Sequence, residues 1–121
     1  ITSQYGYDLS QTCNEIRKVN HFNETCQVTV PQAIIAFLES KDFETAVRLA
    51  VSIGGDSDTI AAIAGGLSEA FYKEIPGNLI YIAMDRLPVD IMAVVKAFYK
   101  KISEKDPETF GKIYNHIVTG S

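Results

Sequence analysis

The stretch Val51–Tyr72, VSIGGDSDTIAAIAGGLSEAFY, restricts the fold more than any other part of the chain. Behind a glycine pair it crowds Asp56, Ser57, Asp58 and Thr59 into one turn, then runs on in helix formers until Glu69. Ile60, Ile63, Ala64, Leu67, Ala70 and Phe71 recur at helical spacing, while Ala61, Ala62, Gly65 and Gly66 fill the remaining faces. A helix apolar on every side needs neighbours on several, so a central, buried helix is predicted here. Two glycines inside it cost about 1 kcal/mol each relative to alanine, which makes sense where another helix crosses close. At the start of this helix one side-chain oxygen suffices for a cap, and four in succession exceed what capping needs. Two carboxylates this close repel each other unless a cation lies between them, and hard divalent ions such as Mg²⁺ prefer oxygen donors. Gly54 and Gly55 let the chain turn sharply and bring its backbone close to a bound group.

The rest of the chain also reads as helices. Ile1–Tyr7 has no clear period. Ser10 is placed to cap a short helix with Cys13, Ile16 and Val19 inward and Arg17 and Lys18 near its end. Asn20–Val30 reads as a loop. His21, within it, has no partner at ligand spacing and reads as a surface or packing residue. Pro31 then opens a helix over Gln32–Glu39, with Ala33, Ile34, Ala36, Phe37 and Leu38 mostly buried. Asp42 caps the next helix, Phe43–Ile53, with Phe43, Val47, Ala50 and Val51 inward, Arg48 one turn past Glu44, and Gly54 as the stop. After a turn at Glu74–Asn78, Leu79–Leu87 is a short helix ending before Pro88. Val89–Ser103 shows the clearest stripe, Ile91, Val94, Val95, Phe98 and Ile102, with Lys96, Lys100, Lys101 and Lys105 as a wet basic patch. Asp106 and Pro107 start a last helix with Phe110, Ile113, Tyr114 and Ile117 inward. No segment alternates convincingly with period two, so the expected class is all-α, a multi-helix orthogonal bundle.

With 121 residues, 46% of them hydrophobic, the chain is expected to form a single helical domain over 1–121 with a modest core. A net charge of −4 gives no cationic footprint, so neither nucleic acid nor an anionic membrane is an expected partner. The apolar runs are short for a membrane span, and the first residues lack a basic-then-apolar leader pattern. Cys13 and Cys26 read as free thiols of a reducing compartment, which places the protein in the cytoplasm. The absence of an initiating methionine suggests part of something longer.

The run Gly54-Gly55-Asp56-Ser57-Asp58-Thr59-Ile60-Ala61-Ala62-Ile63-Ala64-Gly65 resembles the C-terminal signature of the ADP-ribosylglycohydrolase family. The likeness continues upstream through Val30–Ser40, Asp42-Phe43-Glu44, Ala46-Val47-Arg48 and Ala50-Val51, and covers most of Tyr5 to Pro76. It implies the C-terminal portion of a larger all-helical glycohydrolase fold, with two Mg²⁺ or Mn²⁺ ions in the complete enzyme. Asp56, Asp58 and Thr59 would be metal ligands by position. Gly54 and Gly55, with Cys26, Gln27 and Val28 just before Pro31, would be substrate contacts. The catalytic group is left unassigned. The family's other ligands, a threonine followed by two aspartates, come from the N-terminal half, and no such run occurs in this chain. After Tyr72 the chain has Lys73 where the family more often has glycine.

Three functions follow as alternatives. The resemblance implies a divalent-metal-dependent hydrolase that removes ADP-ribose from a protein or other acceptor. This chain would then hold half of the metal site, be inactive alone, and self-associate through apolar surface left by the missing N-terminal half. A non-catalytic helical interaction module would need the acidic turn only as a cap. A phosphatase of the haloacid dehalogenase type also uses D-x-D, but at the end of a parallel strand.

Overall fold

The structure, a computed structural model, describes residues 2–19, 23 and 25–120. Its regular elements are all helices, with no strand among the described residues, so the fold is all-α as expected. The chain divides into two compact units, Ile1–Tyr72 and Lys73–Ser121. His21 lies outside the described residues.

The first unit comprises α1 (Thr2–Tyr5), α2 (Cys13–Val19), α3 (Cys26–Glu39), α4 (Phe43–Ser52) and α5 (Ser57–Tyr72). Ile16, Ile35, Ile53 and Ile60 supply the bulk of its core, and Ala33, Ala36, Ala50 and Ala64 let α3, α4 and α5 approach closely. Burying one such isoleucine stabilises the fold by roughly 1.5–3 kcal/mol. Polar groups inside are satisfied locally. The buried Ser68 hydroxyl donates to the Ala64 carbonyl at 2.7 Å, and the buried Thr29 hydroxyl donates to the Thr25 carbonyl at 3.0 Å.

Helix ends follow side-chain chemistry. Asp42 caps α4 by accepting from the Thr45 amide at 2.8 Å, and the Thr45 hydroxyl closes a capping box with the Asp42 amide. Arg48 pairs with Glu44 one turn away at 2.8 Å, an exposed contact of about 0.3–0.5 kcal/mol. Two starts differ from expectation. Thr12 caps α2, accepting from the Glu15 amide at 3.1 Å, while Ser10 is tied to Asp8 instead. The helix read as opening at Pro31 begins at Cys26, so Cys26, Gln27 and Val28 form its first turn and Pro31 lies inside it. Asn23 holds the Thr25 amide at 2.9 Å, and the Thr25 carbonyl then accepts from the amides of Val28 and Thr29. That local network starts the helix early, so Pro31 is its sixth residue, past the first turn, and leaves the Gln27 carbonyl without the amide that would bond to it.

Burial is more one-sided than the apolar pattern predicts. On α5 only Ile60, Ala64 and Ser68 are buried, while Leu67 is 38% and Phe71 66% exposed, so this helix is covered along one face by α3 and α4. A side chain at Gly65 would touch Val47 and Phe43 of α4 at ordinary contact distance, whereas Gly66 faces open space. Leu38, Val51 and Val19 also point outward, because Ile35, Ala46 and Ile16 take the positions facing neighbours.

The second unit comprises α6 (Gly77–Asp85), α7 (Val89–Lys105) and α8 (Pro107–Thr119). Asp106 caps α8 with Pro107 in its first turn, and Ile113 and Ile117 point inward as predicted. The stripe on α7 is turned from its expected direction. Val95 and Tyr99 pack on the cluster of Ile80, Ile113 and Ile117, and Ile91, Val94 and Phe98 are exposed.

α5 is followed by Lys73 in a left-handed conformation, φ 59°. A side chain there costs about 1–2 kcal/mol, which is why glycine suits the position. Lys73→Gly is expected to stabilise the chain by about 0.5–1 kcal/mol after the extra unfolded-state entropy of glycine, read as a higher denaturation midpoint.

The two cysteines are free, as expected. Cys26 is exposed. Cys13 is 1% exposed, and burial, followed by the hydrogen bond to Glu39 and that carboxylate's charge, pushes its thiol up to about 12. At pH 8 a maleimide should therefore modify Cys26 quickly and Cys13 only after unfolding, as mass spectrometry of the labelled peptides would show. Equal rates at both would contradict this packing.

Candidate metal centre

The acidic turn is held from both sides by burial. α4 ends at Ser52, and Ile53 enters the core at 2% exposure while its amide donates to the Leu49 carbonyl at 3.2 Å. Gly54 and Gly55 follow at φ 84° and 66°, left-handed values that reverse the chain within a few residues. Asp56 then starts the next helix, its carbonyl accepting from the Ile60 amide at 3.0 Å, and Ile60 is fully buried. Arg17 fastens the approach from α2. Its Nε donates to the Ser52 carbonyl at 2.9 Å and its Nη2 to the Ser52 hydroxyl at 2.7 Å. The sequence placed Arg17 only near a helix end. Its role on the carbonyl before the glycine pair depends on a contact across 35 positions that periodicity does not reveal.

Between these anchors Asp56 is half-buried, and Asp58 and Thr59 are exposed. The two carboxyl groups lie within hydrogen-bonding reach of each other, and this contact dominates their titration. Asp56 is raised above the ordinary aspartate range by its hydrogen bond with Asp58, with the Thr59 hydroxyl and amide pulling the other way. Asp58 is lowered, first by Asp56 and then by the Thr59 amide, which donates to its Oδ1 at 2.9 Å. As pH rises, Asp58 therefore ionises before Asp56.

Asp56, Asp58 and Thr59 thus stand together at the start of α5. Their donors are all oxygens, which suits Mg²⁺ or Mn²⁺ better than a thiol- or imidazole-preferring ion. Among the described residues no group of three or more His, Cys, Asp and Glu side chains converges. Mg²⁺ takes about six ligands, more than this turn supplies by itself. Gly54 and Gly55 adjoin the carboxylates, and a side chain at Gly54 would meet open space.

The weaker candidates lie elsewhere. Gln27 and Val28 line a cleft of ≈ 240 Å³ with Tyr7, Ile16, Pro31 and Ile35. Cys26 is exposed one residue earlier, and neither it nor the acidic turn lines that cleft. The strand that a D-x-D phosphatase needs before its first aspartate is absent, because α4 occupies that position.

The sequence profile of the ADP-ribosylglycohydrolase family matches residues 7–108, most of the chain. An Archaeoglobus fulgidus protein described only as uncharacterized is 40% identical over 57 residues, covering 47% of this chain and 19% of the relative. The match thus spans about a fifth of that relative's length. No solved structure gives a significant match.

The opposed shifts are directly measurable. In a carboxyl-carbon NMR titration Asp56 should titrate above, and Asp58 below, the ordinary value of 3.8. In Asp58→Asn the carboxylate that raises Asp56 is gone, and its midpoint should fall. An Asp56 midpoint unchanged by that substitution would mean that the two side chains do not share the turn as described.

Proposed function

The chain belongs to the ADP-ribosylglycohydrolase family, and from that premise we propose that Asp56–Thr59 is its contribution to the cation centre of a hydrolase that releases ADP-ribose from a protein side chain or other acceptor. The observation that carries this reading is the family match across the motif, supported by the two carboxyl groups that stand close together at the start of α5. When bound, a pair of Mg²⁺ or Mn²⁺ ions would gather the ribose hydroxyls and offset charge as water attacks the anomeric carbon.

The chain's own residues have separable tasks. Asp56 and Asp58 contribute carboxylate oxygens, and Thr59 a hydroxyl. Gly54 and Gly55 admit the ligand close to the backbone. Ile53 and Ile60 are positioning residues, fixing where the carboxylates point without touching the ligand. The remaining cation ligands belong to the N-terminal half of the family fold. Alone, this chain is therefore inactive and holds a divalent ion weakly. The free thiols favour a reducing, cytoplasmic setting, and no described helix is long and apolar enough to cross a membrane.

Two measurements test the proposal. Titrating Mn²⁺ into the chain should broaden the amide signals around Asp56–Thr59 first, with Na⁺ having no effect and Asp56→Asn or Asp58→Asn removing the broadening. In the protein with a complete cation centre, each substitution should lower hydrolysis of an ADP-ribosylated substrate on the order of 100-fold or more while helicity stays unchanged. Wild-type activity in both variants would remove the ligand assignment. Turnover by this chain alone, as a monomer, would show that the other half is not needed.

A further inference from the structure

α2 is only seven residues long, yet both of its ends are tied to other helices. At its start the Cys13 amide donates to the Glu39 carboxylate, at the end of α3, at 2.6 Å, and Cys13 and Ile16 are buried. In its last turn Arg17 engages all three guanidinium nitrogens. Nη1 donates to Asn14 Oδ1 one turn back at 3.2 Å, while Nε and Nη2 reach the carbonyl and hydroxyl of Ser52 at 2.9 and 2.7 Å. Arg17 is exposed, but bonds on every nitrogen make it an ordered link rather than a loose surface side chain.

What gives this fork its weight is the bond it replaces. In an α-helix each carbonyl accepts from the amide four residues on. Had α4 continued, the Ser52 carbonyl would have taken the amide of Asp56. Instead α4 stops at Ser52, Gly54 and Gly55 turn left-handed, and Arg17 supplies the donor. The arginine thus satisfies an acceptor that the chain reversal leaves behind, and Asp56 is released to begin α5. Its charge also meets the negative end of the α4 dipole. Lysine is no equivalent, because an ammonium is a point donor without the planar fork that spans both Ser52 oxygens.

We infer that Arg17 is a positioning residue of the cation centre: by holding Ser52 it sets where Asp56 and Asp58 stand, and so how tightly they take a divalent ion. This rests on the ligand assignment proposed above. Arg17 acts on a cation in two opposed ways, since its charge repels the ion and its fork orders the turn that binds it. Groups that orient metal ligands are worth about 10–100-fold in affinity. The repulsion from one exposed charge is weaker, being screened by salt. The fork should therefore prevail.

The test is a titration of Mn²⁺ into the 121-residue chain and its variants at about 0.15 M salt, read as the concentration that half-broadens the amide signals of Asp56–Thr59. Arg17→Ala and Arg17→Lys should both raise that concentration about tenfold. Arg48→Ala is the control, because it removes the same charge from α4 without touching Ser52, and it should leave the concentration unchanged or lower it. Without metal, the turn amides should exchange faster in both Arg17 variants, while those of Ile35 and Ala36 in α3 keep their rates. Should Arg17→Ala fail to fold, Arg17→Lys, which keeps the charge and loses the fork, decides the matter. Mn²⁺ uptake that neither Arg17 variant weakens overturns the inference and leaves the ligand assignment standing. Tighter binding in Arg17→Ala with no change in Arg17→Lys does the same, since only the charge would then matter. A wild-type chain that takes up no Mn²⁺ removes the assignment and the inference together.

Discussion

Ile53 and Ile60 stand on either side of the chain reversal, 2% and 0% exposed, within one core cluster. The polar turn between them makes few contacts of its own beyond Asp56, Asp58 and Thr59, so its place is set by the burial of its flanks. Each isoleucine contributes roughly 1.5–3 kcal/mol, enough to hold a turn whose carboxylates would otherwise move apart. The reversal can be this short only because Gly54 and Gly55 take left-handed conformations at φ 84° and 66°. Arg17 adds to the same constraint, occupying the Ser52 carbonyl as α4 ends.

The electrostatic character of the turn follows from that mechanical one. Two aspartates free to rotate into solvent would titrate separately. Held together, Asp56 gains proton affinity through its contact with Asp58, and Asp58 loses it. Such opposed shifts in neighbouring carboxyls are common at functional sites, where packing keeps like charges together for a ligand that will neutralise them. A helix cap alone gives no reason for the second carboxylate. Asp42 and Asp106 each cap a helix with one carboxylate, accepting from the Thr45 and Thr109 amides.

Those caps also show which parts of the fold were legible in the sequence. Asp42, Gly54 and Asp106-Pro107 act through their own backbone and the residues within one turn, so helix boundaries at these points could be read directly. The acidic turn was legible for the same reason. The start of α3 was not, because Asn23 and Thr25 begin a helix through side-chain bonds that leave no apolar period, and Pro31 then reads as the start. Facing was the other hidden quantity. Periodicity marks which residues of α7 are apolar, but Val95 and Tyr99 rather than Val94 and Phe98 meet the core. That choice belongs to the neighbouring helix, not to the stripe.

The same distinction applies to α5. Asp58, Ala62, Gly66 and Ala70 recur every four residues, and all four are exposed. The face that begins with a carboxylate therefore continues in the smallest side chains available to a helix. A glycine facing open space costs about 1 kcal/mol relative to alanine in an isolated helix and returns nothing in this chain. Gly65 shows what such a residue does when a neighbour is present, since α4 brings Val47 and Phe43 into contact there. On the proposed reading the remaining cation ligands reach Asp58 from outside this chain. At Ala62 and Gly66 an element carrying them would meet only a methyl group and bare backbone, which favours a close approach of its carboxylates to Asp56 and Asp58.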